Sequence, residues 1–219
     1  MDGARSEIFL RPMGSPLPVG LAGLTVASLV VSGLDLGWVP SSASHQVGMM
    51  LLIAGVPLQL IGCAFALPAR DAEAATSMGL LSISWMGMGL TRLASPPGTV
   101  SDSLGLVLLA TGALLACVAA GQGAGKPLLG LTLACAAARL ILSGLHELTG
   151  SGGLQTVSGI VGLVVVATAG YMVVALGLED SQDQPVLPVL RRGRALRDTT
   201  EQAEGADGAI REPGVRPQL

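Results

Sequence analysis

His146 and Glu147 are the residues that come nearest to a catalytic metal motif. They begin the pattern HExxH, in which two imidazoles on one face of a helix bind zinc and the glutamate acts as a general base. Gly150 occupies the position of the second histidine, so the second imidazole ligand is missing. We therefore predict no metal site here.

A glycine-rich segment at 121–126 has some features of a phosphate-binding loop, because it ends in a glycine followed by Lys126. In the pattern GxxxxGK followed by Ser or Thr, the first glycine would fall on Ala120 and the hydroxyl residue on Pro127. No β-strand pattern precedes the segment. We predict a flexible turn rather than a nucleotide site.

The three cysteines are far apart, and each lies inside an apolar run: Cys63, Cys117 and Cys135. They form neither a disulfide framework nor a CxxC metal site, and such thiols usually pack as small buried hydrophobes. Aromatic residues make up only 2% of the chain, and no basic patch with interleaved aromatics suggests nucleic acid. We expect no cofactor, no metal, no nucleic-acid partner, no catalytic residue and no enzymatic activity.

Ionisable residues inside the apolar segments are more informative, because each costs about 2.5–3.5 kcal/mol at the middle of a membrane helix. Asp35, Arg92 and Arg139 are such residues, and we expect all three near the outer leaflet together with His146 and Glu147. One hypothesis is that they line an outer, water-filled vestibule in which Arg139 attracts an anion. The alternative is an ion pair, either Asp35–Arg92 or Arg139–Glu147, that fixes the helices while the arginines snorkel outward.

Gln59 is a polar residue two positions after Pro57, in a long apolar segment. A proline inside a membrane helix frees backbone carbonyls, and such groups are tolerated where they face protein or a water-filled cavity. Gln59 therefore either faces a pathway through the protein or forms a hydrogen bond between helices. The sequence leaves both interpretations open.

The segments that must position these residues are membrane helices. The 219 residues are 50% hydrophobic and only 12% charged, a composition too apolar for an ordinary soluble domain. A spanning helix needs about 20 mostly apolar residues. We predict an all-α membrane protein, a bundle of six transmembrane helices at 19–38, 47–67, 78–94, 104–120, 127–145 and 154–178. The third is the least apolar, because it contains several serines and glycines.

Lysine and arginine in short loops mark the cytoplasmic side of a membrane protein. The basic residues nearest the ends of the predicted spans all fall on one side: Arg5, Arg11, Arg70, Lys126, Arg191, Arg192, Arg194 and Arg197. The opposite loops, 39–46, 95–103 and 146–153, contain none. We therefore predict cytoplasmic amino and carboxyl termini and a multi-pass location in the cell inner (plasma) membrane. Residues 1–16 form a cytoplasmic segment, 17–178 the six-helix domain, and 179–219 a disordered cytoplasmic tail.

The start of the first span is the most specific motif in the chain: Ser15-Pro16-Leu17-Pro18-Val19-Gly20-Leu21. Its prolines leave amides unpaired at a helix start, whose positive dipole end suits a carboxylate. The motif resembles the N-P-x-P-L-G-L signature of the acetate uptake transporter family, the succinate/acetate permeases. Further positions are similar to family residues: Gln59, Gly79, Gly87, Gly159, Gly162, Tyr171 and Val186-Leu187-Pro188.

The resemblance implies hexamers of six-helix protomers, each with its own pore for acetate and related short carboxylates together with protons. It also implies a hydrophobic constriction, in which Leu24 and Met86 stand where the family has aromatic residues and the third residue lies within 131–134. Ser15 replaces the asparagine of the signature, and Val19 replaces a leucine. We expect a wider and softer gate than in the family.

We therefore expect a membrane transporter or channel for a small, acetate-like monocarboxylate, linked to protons and assembled as a homo-hexamer in the lipid bilayer. The expected substrate pathway is Pro16, Pro18, Gly20, Leu21, Leu24, Gln59, Met86 and Arg139. One alternative is a channel for a neutral solute such as urea or an amide, on the same hexameric plan. Another is a non-transporting membrane scaffold whose tail, 179–219, binds a cytosolic partner.

Overall fold

The computed structural model describes residues 15–122, 125–182 and 186–192. Within these ranges the chain forms long helices and no strand. We number the helices α1 (Leu17–Asp35), α2 (Ser41–Ala66), α3 (Ala72–Ala94), α4 (Asp102–Gln122), α5 (Pro127–Thr149) and α6 (Gly152–Gln182). The remaining residues, 1–14, 123–124, 183–185 and 193–219, lie outside the described ranges.

Five helices are long and apolar enough to cross a membrane, namely α1, α2, α4, α5 and α6. Helix α3 has the length but not the apolar composition, since Ser77, Ser82 and Ser84 lie along it. These serines are buried, and Ser84 Oγ donates to Thr111 Oγ1 of α4 at 3.0 Å. The chain is therefore a multi-pass helical membrane protein, in which α3 lies within the bundle as its most polar helix.

Helix α2 is irregular. A 3₁₀ turn at Ser41–Ala43 leads into an α-helical piece, a π turn occupies Leu51–Gly55, and α-helix resumes at Val56–Ala66. Pro57 lies two residues after the π turn and cannot donate a backbone hydrogen bond, so it disturbs the preceding turn of helix. A helix break at Pro57, near Gln59, was expected from the sequence, but the π turn was not.

Glycines allow the helices to approach closely. Close packing matters in a membrane, because the hydrophobic effect does not drive helices together within lipid. Gly105 of α4 and Gly144 of α5 face each other, and a Cβ on either would lie 2.8–3.0 Å from the other's carbonyl oxygen. Gly162 of α6 is similarly tight against α1 and α5. Helices α1, α5 and α6 thus pack together around their polar residues.

The end of the described chain differs from the predicted disordered tail. Helix α6 continues to Gln182, four residues beyond the predicted end, because its last turn remains hydrogen-bonded. Tyr171 Oη donates to the Pro188 carbonyl oxygen at 3.0 Å, and Arg192 N donates to Gly125 O at 2.9 Å. Part of the region predicted to be disordered therefore packs against α6 and the α4–α5 loop.

Candidate functional site

One face of α1 runs through the bundle from end to end. Its residues follow one another at helical spacings of three or four, which keeps them on one side of the helix: Leu17, Leu21, Leu24, Ser28, Ser32 and Asp35. The face is apolar in its first half, carries hydroxyls in the middle and ends in a carboxylate. A solute moving along it would meet these three environments in order.

A small cavity of about 20 Å³ lies beside the apolar half of this face, enough for a water-sized group. Leu21, Leu24, Gln59 and Gln122 are among the residues that line it. Gln59 is fully buried, and among the described residues neither atom of its amide has a hydrogen-bond partner. The interhelical hydrogen bond considered for Gln59 is thus not seen among the described residues. We call this space the inner cavity.

A second, larger cavity of about 370 Å³ opens at the other end of the bundle, and we call it the outer vestibule. Arg92, His146 and Glu147 lie on its wall. Glu147 Oε2 accepts a hydrogen bond from Ser101 N at 2.8 Å, which anchors the α3–α4 loop to α5. Three of the four predicted vestibule residues thus share one cavity wall, while Asp35 lies deeper.

Arg139 is buried between the two cavities, with a side chain only 1% exposed. Its Nη1 donates to the Ser28 carbonyl oxygen at 3.0 Å, and its Nη2 lies 3.8 Å from Asp35 Oδ2. Its guanidinium carbon lies 5.6 Å from the centre of the Trp85 ring. The ion pair is therefore Asp35–Arg139, and neither pairing considered from the sequence is present.

Helix α3 also turns one face to the interior. The residues of this face are Ala74, Met78, Leu81, Trp85, Met88 and Arg92, again at spacings of three or four. Neither Trp85 nor Met86 lines either cavity, but Trp85 is 1% exposed on the interior face, whereas Met86 is half-buried beside it. The structure thus places an aromatic residue, Trp85, one position before the residue assigned to the constriction from the resemblance.

The proline motif forms the start of α1. Pro16 precedes the first helical residue and is buried, Pro18 lies in the first turn, and Gly20 N donates to Pro16 O at 3.2 Å. A Cβ on Gly20 would lie 2.5 Å from the Met78 sulfur, so the glycine lets α1 and α3 meet. Gly20 lines the inner cavity, while the two prolines support the helix start.

The site residues predicted from the sequence did not include Ser28, Ser32 and Trp85. The hydroxyls of Ser28 and Ser32 are buried, and in the described part of the chain they have no hydrogen-bond partner. The sequence feature that places them on the interior face of α1 is their spacing, because Ser28 and Ser32 follow Leu24 at intervals of four residues. Most serines in membrane helices bond their own backbone, so this spacing alone did not single them out.

A solved structure, that of the bacterial acetate channel SatP, is similar to this chain. The two share 17% sequence identity, with a TM-score of 0.71 over 80% of this chain and 98% of the other. No family model matches this sequence, and no curated protein matches it. The similarity confirms the fold that the acetate-transporter resemblance implied. The chain therefore has the fold of the bacterial acetate channel SatP.

Proposed function

We propose that the protein is a membrane channel or transporter for a small monocarboxylate of the acetate class. The observation that carries the proposal is the alignment of the outer vestibule, Arg139 and the inner cavity along the buried faces of α1 and α3. Arg139 is paired with Asp35, but its Nε and Nη2 form no hydrogen bond within the described residues, and such free guanidinium donors suit a carboxylate. The fold, shared with a protein described as an acetate channel, agrees with this.

The passage is closed between the cavities by buried side chains, Leu24 and Trp85 among them. A charged carboxylate pays a large desolvation cost in such a section, whereas the neutral acid pays much less. We therefore include proton linkage in the proposal: the acid crosses the apolar section with its proton. The unpaired Gln59 amide then receives it at the inner cavity, which must widen from about 20 Å³ to admit the acid.

The membrane topology belongs to the same proposal. Helix α3 has 23 residues and packs within the bundle, so we propose that it also crosses the membrane, which brings the number of spans to six. Both termini then lie in the cytoplasm of a cell whose inner (plasma) membrane holds the protein. Large apolar side chains such as Ile53, Phe65 and Leu106 are exposed on the bundle, which suits lipid contact and a homo-hexamer.

The decisive experiment is uptake of labelled acetate into proteoliposomes, with and without a pH gradient across the membrane. Uptake faster than in protein-free vesicles, and faster still with an inward proton gradient, is the expected result. Equal uptake with and without protein, at a pH that suppresses free diffusion of the acid, would contradict it. A reporter fused to the carboxyl terminus should remain cytoplasmic.

Labelled urea in the same vesicles tests the neutral-solute alternative. Arg139 favours a carboxylate over urea, because its free Nε and Nη2 match the two oxygens of a carboxylate, whereas urea offers a single oxygen. We therefore expect urea uptake to equal that of empty vesicles. The membrane-scaffold alternative has no observation in the described residues that favours it.

A further inference from the structure

Polar atoms without partners are concentrated around Arg139. Ser28, Ser32, Trp85 and Arg139 are each at most 1% exposed. Counting only partners in the described ranges, the two hydroxyls, Trp85 Nε1, and Nε and Nη2 of Arg139 form no hydrogen bond. Buried polar atoms in folded proteins are nearly always paired, so each exception needs an explanation. Five such atoms on three helices point to a polar ligand.

These groups lie close to one another. The Ser28 carbonyl oxygen accepts from Arg139, which places that residue beside the guanidinium. A Cβ built on Gly162 would lie 2.2 Å from Ser32 Oγ and 2.6 Å from Arg139 Cζ, so both groups pack against this one glycine. The Trp85 ring contacts the guanidinium from α3. The unpaired atoms therefore belong to one cluster.

The free edge of Arg139 suits a carboxylate. Nε and Nη2 lie on the same edge of a guanidinium and donate two parallel hydrogen bonds, which match the two oxygens of a carboxylate. The bond from Nη1 to the Ser28 carbonyl oxygen fixes the plane of the group. Asp35 Oδ2, at 3.8 Å from Nη2, balances the charge but is too distant for a hydrogen bond.

The other members of the cluster are also suited to an anion. Indole N–H groups only donate, and a serine hydroxyl donates readily to a carboxylate oxygen, which accepts about two hydrogen bonds. A neutral amide would leave part of this donor set unused and the arginine charge balanced by Asp35 alone. The donor set therefore fits a monocarboxylate better than urea or an amide.

We propose that Arg139, Ser28, Ser32 and Trp85 form a binding site for the carboxylate group of the substrate, and that Asp35 holds the guanidinium when the site is unloaded. The inference rests on the proposed function, because it names the residues that bind the same class of substrate. One face of α6 leads to the site from the outside: Gln155 on the vestibule wall, Gly159 against Asp35, and Gly162 against Arg139.

Tryptophan fluorescence gives a direct test, because the chain has only two tryptophans and Trp85 lies in the site. In the Trp38→Phe protein, purified in detergent, Trp85 reports binding alone. Titration with sodium acetate at constant ionic strength should give a saturable change, and titration with acetamide should give none. The absence of a saturable change with acetate would overturn the proposal.

Variants in the same Trp38→Phe background identify the residues. Arg139→Lys keeps the charge but loses the paired donors, and should weaken acetate binding by about tenfold or more. Ser28→Ala combined with Ser32→Ala should weaken it several-fold, without removing any hydrogen bond seen in the described structure. The matched controls are Arg191→Lys and Ser181→Ala, at and beyond the carboxyl-terminal end of α6 and away from the site, and they should keep the affinity within twofold.

Unchanged affinity in the double serine variant would overturn the site, and this variant decides the question if the Arg139 variant fails to fold. Uptake into proteoliposomes separates the two proposals. Acetate uptake that saturates alike in wild type and in the serine variant would remove the site and leave the proposed function standing. Absence of uptake by the wild type would remove the proposed function, whatever the fluorescence shows.

Discussion

Gly162 lies so close to Arg139 that a Cβ at this position would be 2.6 Å from the guanidinium carbon. The contact joins α6 to α5 at the most polar point of the bundle interior. There is no room for a methyl group on residue 162, since the same Cβ would also lie 2.2 Å from Ser32 Oγ. The glycine is therefore part of what holds the arginine in place.

The first prediction concerns Gly162→Ala. The added methyl group must displace Arg139 or Ser32, and overpacking of this kind costs about 1–3 kcal/mol. Thermal unfolding of the purified protein in detergent should show this loss. Gly177→Ala is the control on the same helix, because no atom lies within 4 Å of its Cβ position. Equal stability of the two variants would contradict the packing described for α6.

The contact between α4 and α5 gives a second prediction. In Gly144→Ala the new Cβ would lie 2.8 Å from the Gly105 carbonyl oxygen, which is backbone and cannot swing aside. We expect the helices to separate and the free energy of unfolding to fall by about 1–3 kcal/mol. Gly121→Ala should have little effect, since its nearest atom lies at an ordinary 3.8 Å. Thermal unfolding measures both, and a harmless Gly144→Ala would refute this contact.

The third prediction separates Trp85 from Met86. If Trp85 narrows the passage, Trp85→Leu should raise uptake of a bulkier acid, such as butyrate, several-fold relative to acetate. Met86→Leu should leave the ratio unchanged, because Met86 is only half-buried and lies off the interior face of α3 that carries Trp85. Proteoliposome uptake of the two labelled acids gives the ratio. A changed ratio in the Met86 variant alone would restore the assignment made from the resemblance.

The fourth prediction has opposite signs for stability and for transport. Gln59→Leu removes a buried amide without partners in the described structure, so the free energy of unfolding should rise by about 1–2 kcal/mol. Acetate uptake should nevertheless fall, because the inner cavity loses its polar group. Gln46→Leu, an exposed change on the same helix, should alter neither quantity. A less stable Gln59 variant would show that the amide is paired.

The positions of the helices could be predicted from the sequence, because apolar stretches and turn residues alternate along it. The vestibule could also be anticipated: Arg92, His146 and Glu147 come near one another once the helices alternate in direction. Such arguments depend only on depth in the membrane. They need no knowledge of how each helix is rotated about its axis.

Rotation is what the sequence could not supply. Successive residues of a helix point about 100° apart, so the step from Met86 to Trp85 moves a side chain from the side of α3 to its interior face. The partner of Asp35 depended in the same way on which faces of α1 and α5 meet. Arg139 has room beside α6 because residue 162 is a glycine, and its guanidinium lies within 3.8 Å of Asp35.

The π turn at Leu51–Gly55 sets the rotation of the second half of α2 about the helix axis. A π turn contains one residue more than a regular turn, so it rotates everything after it by about 100° relative to a regular helix. Deletion of a single residue from this stretch would restore regular winding and swing the Gln59 amide out of the inner cavity. A gain or loss of one amino acid here is thus a simple evolutionary route to a differently lined passage.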